Sequence, residues 1–156
     1  MTSTVRITLP AKLECLREAM EFVVSFAEES GFSPGRIMEI ELALEEILVN
    51  IIHYAYPKGE GDMEIACVPG GRDRFVMVIA DKGIPFNIIQ VADPDVCASV
   101  DERKVGGLGI YFAKKLVDNI LYSREDGKNI LQLTVLKTRT VDPEGFAAQR
   151  QKAKSA

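Results

Sequence analysis

One histidine and three cysteines are the only imidazole and thiol groups this chain could offer a metal. Cys15, Cys67 and Cys97 stand far apart, form no C-x-x-C pair and are odd in number. Neither a disulfide frame nor a thiolate zinc site is therefore expected. With His53 as the sole histidine, a mixed His/Cys zinc centre lacks ligands. No apolar run reaches the roughly 20 residues of a membrane span. The start, Met1-Thr-Ser-Thr-Val-Arg, does not read as a signal peptide. Positive charge is scarce too: 19 Lys and Arg face 23 Asp and Glu, a net charge of −4. Phosphate-backbone binding leaves a basic patch, so nucleic acid is not expected as the main partner. These absences predict a cytoplasmic protein with no membrane partner.

What remains is ordinary globular material. The 156 residues are 47% hydrophobic and 27% charged, enough for one domain with a core of its own. Val5 to Leu9 alternates and predicts a strand that Pro10 ends. Leu13, Leu16, Met20, Val23, Val24 and Ala27 recur near helical spacing, which predicts a helix over Ala11 to Ser30, stopped by Gly31. Ser33-Pro34 reads as a cap with proline at the first helical position, opening a second helix to about Tyr54. Met63–Val68 and Phe75–Ala80 predict two strands around Pro69-Gly70-Gly71. Asp81 to Gly107 sustains no period and reads as a long loop, the kind that often covers a site. A helix over Leu108–Asp118 follows, then strands Asn119–Ser123 and Ile130–Lys137 around Asp126-Gly127. This order predicts an α+β two-layer sandwich: a mixed, mostly antiparallel sheet with helices on one face. The domain is expected over residues 1–140, with 141–156 a polar, flexible tail.

Three stretches can carry chemistry. In Glu41-Leu-Ala-Leu-Glu-Glu46-Ile-Leu-Val-Asn50, Glu46 and Asn50 lie four apart and share a helix face. Asn50 offers a neutral oxygen suited to magnesium, and Glu46 a carboxylate able to orient or deprotonate a hydroxyl. Taken alone, the segment reads more simply as a solvated acidic stripe. In Ala80-Asp81-Lys-Gly83-Ile-Pro85-Phe86, a carboxylate ends a strand that is apolar on both sides, where it needs a partner. An exocyclic amine is one such donor. Gly83 lets backbone approach a flat ring, and Pro85-Phe86 would wall the pocket. An Asp-led turn explains the same residues. In Lys104-Val-Gly106-Gly107-Leu108-Gly109-Ile110, glycines open a helix whose free N–H groups attract phosphate. The spacing is neither the dinucleotide fingerprint nor a P-loop, and a plain hinge remains open.

In this order and spacing, the three stretches resemble the ATP site of the GHKL superfamily, the histidine-kinase-like ATPase or Bergerat fold. Within it, the resemblance is to the small anti-sigma-factor serine kinases of bacteria. Leu44-Glu-Glu46-Ile-Leu-Val-Asn50 with Tyr54-Ala55-Tyr56 is similar to their N box, Asp81-Lys-Gly83-Ile-Pro85-Phe86 to the first glycine box, and Gly106-Gly107-Leu108-Gly109-Ile110 to the second. The likeness covers about residues 5 to 137. It implies ATP and Mg2+ as cofactors, with Asn50 coordinating magnesium and Glu46 as catalytic base. It implies that Asp81 takes the adenine amine and that Gly83 and Pro85 line its pocket. Gly106, Gly107, Leu108 and Gly109 would hold the phosphates at the hinge of a lid over roughly Asn87 to Val105. The implied partners are a STAS-domain anti-anti-sigma protein that is phosphorylated on serine, a sigma factor that is sequestered, and a second copy in a homodimer. Two departures stand out. Tyr54 occupies the place where many relatives carry histidine, and His53 is displaced by one. Gly127-Lys128-Asn129 stands where many have Gly-Thr, so an Asn129 amide would replace a hydroxyl near adenine. Arg103-Lys104 could reach phosphates from the lid or be solvated charge. Two other functions compete: an ATP-gated binding module without phosphotransfer, and a phosphorelay domain acting on histidine. The chain lacks a dimerisation helix with a phosphoacceptor, which counts against the second.

Overall fold

The computed structural model describes residues 3–90 and 107–138. Strand β1 (Val5–Pro10) leads into helices α1 (Leu16–Glu29) and α2 (Pro34–Tyr54), then strands β2 (Asp62–Pro69) and β3 (Arg74–Asp81). Helix α3 (Gly107–Leu116) and strands β4 (Asn119–Glu125) and β5 (Lys128–Leu136) complete the described chain. The sheet order is β1-β2-β3-β5-β4, so β5 inserts between β3 and β4.

Alternation puts the odd residues of β2, β3 and β5 on the face toward the helices. Met63, Ile65 and Cys67, Phe75, Met77 and Ile79, and Leu131, Leu133 and Val135 form one core with Val23 and Phe26 of α1 and Ile40, Leu44, Ile47 and Leu48 of α2. Phe75 is its aromatic centre, meeting the Phe26 and Phe32 rings edge-on at 5.0 and 5.1 Å.

The element ends follow local chemistry. Gly31, at φ 86°, sends its N–H to Glu28 O while Phe32 N–H reaches Ala27 O, a Schellman stop for α1. Ser33 Oγ accepts from Arg36 N at 3.2 Å and Pro34 takes the first helical position, which starts α2. Asp126 and Gly127 both have positive φ, the signature of the two-residue hairpin joining β4 to β5.

Several expectations are corrected. Helix α1 begins at Leu16 and not Ala11, after a 3₁₀ turn at Leu13–Cys15. Ala11 N–H is already spent on Gly61 O at 2.8 Å, and Lys12 is extended, so the chain follows the sheet edge before it coils. The sheet is not mixed: all four described pairings are antiparallel. Helix α3 stops at Leu116, because the Asp118 N–H pairs with Thr134 O. Strand β3 extends through Asp81 and β5 starts at Lys128, which makes Asp81 and Asn129 register partners. Ile88–Gln90 forms a short 3₁₀ turn within the expected loop, with Ile88 buried. Most of the expected lid, with Cys97, Arg103, Lys104 and Gly106, lies outside the described residues, as does the 141–156 tail. Among the described residues, no helix is long and apolar enough to cross a membrane.

Candidate functional site

Helix α2 is the spine of the site. Its buried stripe of Ile37, Ile40, Leu44, Ile47, Leu48 and Ile51 seats it on the sheet. The other side turns Glu46 to solvent and leaves Asn50 half-buried. Two glycine contacts on this helix flank Asn50 in sequence. A Cβ added to Gly109 of α3 would lie 1.8 Å from Glu46 Oε2, so the glycine places α3 backbone directly against the Glu46 carboxylate. A Cβ added to Gly83 would lie 2.4 Å from Ala55 O, so the loop after β3 runs hard against the end of α2. The first contact falls four residues before Asn50 and the second five residues after it. Glu46, Asn50, Gly83 and Gly109 thus gather along one helix, with Gly107 and Leu108 in the first turn of α3.

The Asp81 carboxylate is buried at the end of β3. Its Oδ1 accepts from Gly83 N at 2.9 Å and from Asn129 Nδ2 at 3.0 Å. No donor among the described residues reaches its Oδ2, which leaves one buried acceptor for a ligand donor. Asn129 does not stand free beside a base. Its amide also donates to Ile84 O at 2.8 Å, while its Oδ1 accepts from Tyr122, Arg124 and Phe86 N. Both N–H bonds are occupied, so Asn129 holds Asp81 and brackets the loop at Ile84 and Phe86. Pro85 and Phe86 are exposed.

Tyr56 ties the neighbouring strands. Its hydroxyl donates to Asp62 O at 2.5 Å and accepts from Lys82 N at 2.9 Å, directly after Asp81. A Cβ on Gly61 would sit 2.1 Å from the Tyr56 ring, so the ring needs glycine there. Burial lifts the phenol above its ordinary value. The bond from Lys82 N–H opposes that lift, and the Asp81, Asp62 and Glu64 carboxylates add to it.

A cavity of about 420 Å³ borders this corner, lined on the open face of the sheet by Glu64, Ala80 and Lys128. Glu60, Asp62, Glu64 and Asp81 outnumber Lys82 and Lys128 around it, so its charge balance is negative and disfavours phosphate. Among the described residues, no group of three His, Cys, Asp or Glu could cage a metal. A magnesium ion arriving with phosphates needs only one or two protein oxygens, and Asn50 fits that requirement.

Tyr122 and Arg124 were not singled out from the sequence. Alternation along β4 places 120, 122 and 124 on the core face, and an arginine on that face was the available signal. Its partner could not be known without the register that sets Arg124 opposite Asn129.

Comparison with known proteins identifies the family and the fold. The profile of the histidine kinase-like ATPase domain family matches residues 9–135. The serine-protein kinase RsbW of Bacillus cereus strain AH187 is 27% identical over 146 residues, 90% of each chain. The serine-protein kinase RsbW of Bacillus thuringiensis subsp. konkukian strain 97-27 is 28% identical over 146 residues, again 90% of each. The crystal structure of the RsbU and RsbW domains of a Mycobacterium tuberculosis protein superposes with a TM-score of 0.61 at 20% identity. That match covers 86% of this chain and 33% of the other, and it shows a shared fold.

Proposed function

Because the chain belongs to the histidine kinase-like ATPase domain family, we propose that it is an ATP-dependent protein-serine kinase of the anti-sigma type. The carrying observation is the convergence on α2: backbone at Gly109 abuts Glu46, backbone at Gly83 abuts Ala55, and Asn50 lies between these points in sequence. Asp81 receives the adenine amine through its open Oδ2, and Gly83 and Pro85 border the ring. The start of α3, Gly107 to Gly109, presents backbone N–H groups to the phosphates, and Gly106 precedes it in sequence. Asn50 contributes an oxygen to magnesium, which supplies charge neutralisation when bound. Glu46 is solvent-facing, so a serine hydroxyl from another protein can reach it and pass it a proton. Phosphoryl transfer rests mainly on positioning and charge, and this set provides both.

The acceptor fitting the RsbW likeness is a serine on a STAS-domain anti-anti-sigma protein, and the second partner is a sigma factor held by a homodimer in the cytoplasm. Glu46→Gln tests the assignment. Phosphoserine formation should fall by at least a hundredfold while ATP affinity stays within about threefold. Unchanged turnover in that variant would remove Glu46 from the role. Good ATP binding with no phosphoserine on the STAS protein, for the native chain, would leave an ATP-gated binding module.

A further inference from the structure

The base end of the site carries a set of bonds that the nucleotide itself does not need. Asn129 Oδ1 accepts from the Tyr122 hydroxyl at 2.6 Å, Arg124 Nη1 at 3.0 Å and Phe86 N at 3.2 Å. Two of these, the guanidinium and the backbone N–H, can only donate. An inverted amide would point N–H bonds at donors and its oxygen at the Asp81 carboxylate and the Ile84 carbonyl. The two obligate donors on one side and the two obligate acceptors on the other therefore dictate which way the amide lies. In that orientation Asn129 Nδ2 donates to Asp81 Oδ1 and to Ile84 O. Arg124 Nη1 also reaches Gly83 O at 3.1 Å, so one cation grips both the amide and the loop.

The consequence falls on Asp81. Its Oδ1 is saturated by Gly83 N and Asn129, and only Oδ2 remains to meet a ligand. The group offered is a fixed acceptor, buried and unable to swing to present another face. Resting on the nucleotide reading above, we infer that Tyr122 and Arg124 are positioning residues for purine choice. Through Asn129 they hold Asp81, an acceptor by its own charge, in one position. The site then selects a purine with an amine at its six position and rejects one with a carbonyl there. Neither residue touches the base. They act by holding the Asn129 side chain in place, so that its amide keeps Asp81 Oδ1 occupied and the carboxylate fixed.

ATP and inosine triphosphate differ at that position, amine against carbonyl, so their affinity ratio reads the device directly. Calorimetry on the full chain should give ATP a preference of roughly tenfold to a hundredfold, the range of one hydrogen bond to a charged acceptor. Tyr122→Phe combined with Arg124→Met should bring the ratio to within about threefold of unity, mostly through weaker ATP binding. Tyr122→Phe alone, which keeps the ring, should give an intermediate ratio and serves if the double variant does not fold. A merely structural role would weaken both nucleotides alike and leave the ratio unchanged, and that result would overturn the inference. Equal affinities in the native chain would instead strike the adenine role of Asp81 itself. The Asn129 side-chain amide protons give a second readout: slow exchange in the native chain, fast exchange in the variants. Slow exchange throughout would also overturn it.

Discussion

Cys67 lies on the helix-facing side of β2 with no exposed surface, and burial pushes its thiol up to about 12 from an ordinary 9.0. Below pH 9 the thiol keeps its proton in both folded and unfolded chains. Between there and about 12, only the folded chain keeps it, so stability falls as pH rises. The slope is about 1.4 kcal/mol per pH unit, the free energy of holding one proton against a tenfold drop in its activity. Urea midpoints measured at pH 8, 10 and 11 should show this fall, and Cys67→Val should flatten it. A shallower limb remains in that variant, because the raised Tyr56 phenol acts with the same sign. Single residues were unevenly legible. Asp81 announced itself as a charge closing a buried apolar strand. The family resemblance puts Asn129 near an adenine, but its role as the holder of Asp81 depends on the register of β3 and β5. No spacing within one strand encodes that register. Arg124 was invisible for the same reason.

At the level of elements, the contact between α2 and α3 rests on a missing side chain. Gly109→Ala would set a methyl 1.8 Å from Glu46 Oε2 and 2.5 Å from its Cδ. The obstacle is the end of a flexible side chain, so Glu46 swings aside and the helices stay in place. Alanine also favours helix over glycine by about 1 kcal/mol. The expected outcome is a melting temperature unchanged or raised, with phosphoserine formation reduced tenfold or more. A variant as active as the native chain would show that the Glu46 position is immaterial. Element boundaries were legible where capping chemistry is strong, as at Gly31 and Ser33-Pro34. They were illegible at the start of α1. There Leu13 and Leu16 satisfy helical spacing, yet a 3₁₀ turn with its period of three satisfies it as well.

Across the whole molecule, Arg36 is the counterpart, at the opposite end of α2, of the loop after β3. It is buried and donates to Leu136 O and Leu116 O, each at 2.8 Å, and pairs with Asp118. One guanidinium thereby joins the beginning of α2, the end of α3 and the end of β5. Arg36→Ala leaves the Asp118 carboxylate without that partner and should cost about 3–5 kcal/mol in chemical denaturation. ATP affinity of the folded fraction should hold, since the site lies at the far end of the helix. The two-layer class was readable from the order of strands and helices. The insertion of β5 between β3 and β4 was not, because pairing across the sheet leaves no local mark. Helix α2 itself has a further consequence. It runs unbroken from Pro34 to Tyr54, and Ala55 O at its end accepts from Ile84 N of the loop after β3. At 1.5 Å per residue, Asn50 and Ala55 are separated by about 7.5 Å along the axis. Under the proposed nucleotide reading, a stiff rod of that length acts as a gauge between the ring and the phosphates. A ligand with a shortened or lengthened spacer in place of ribose can seat one end and must leave the other hanging.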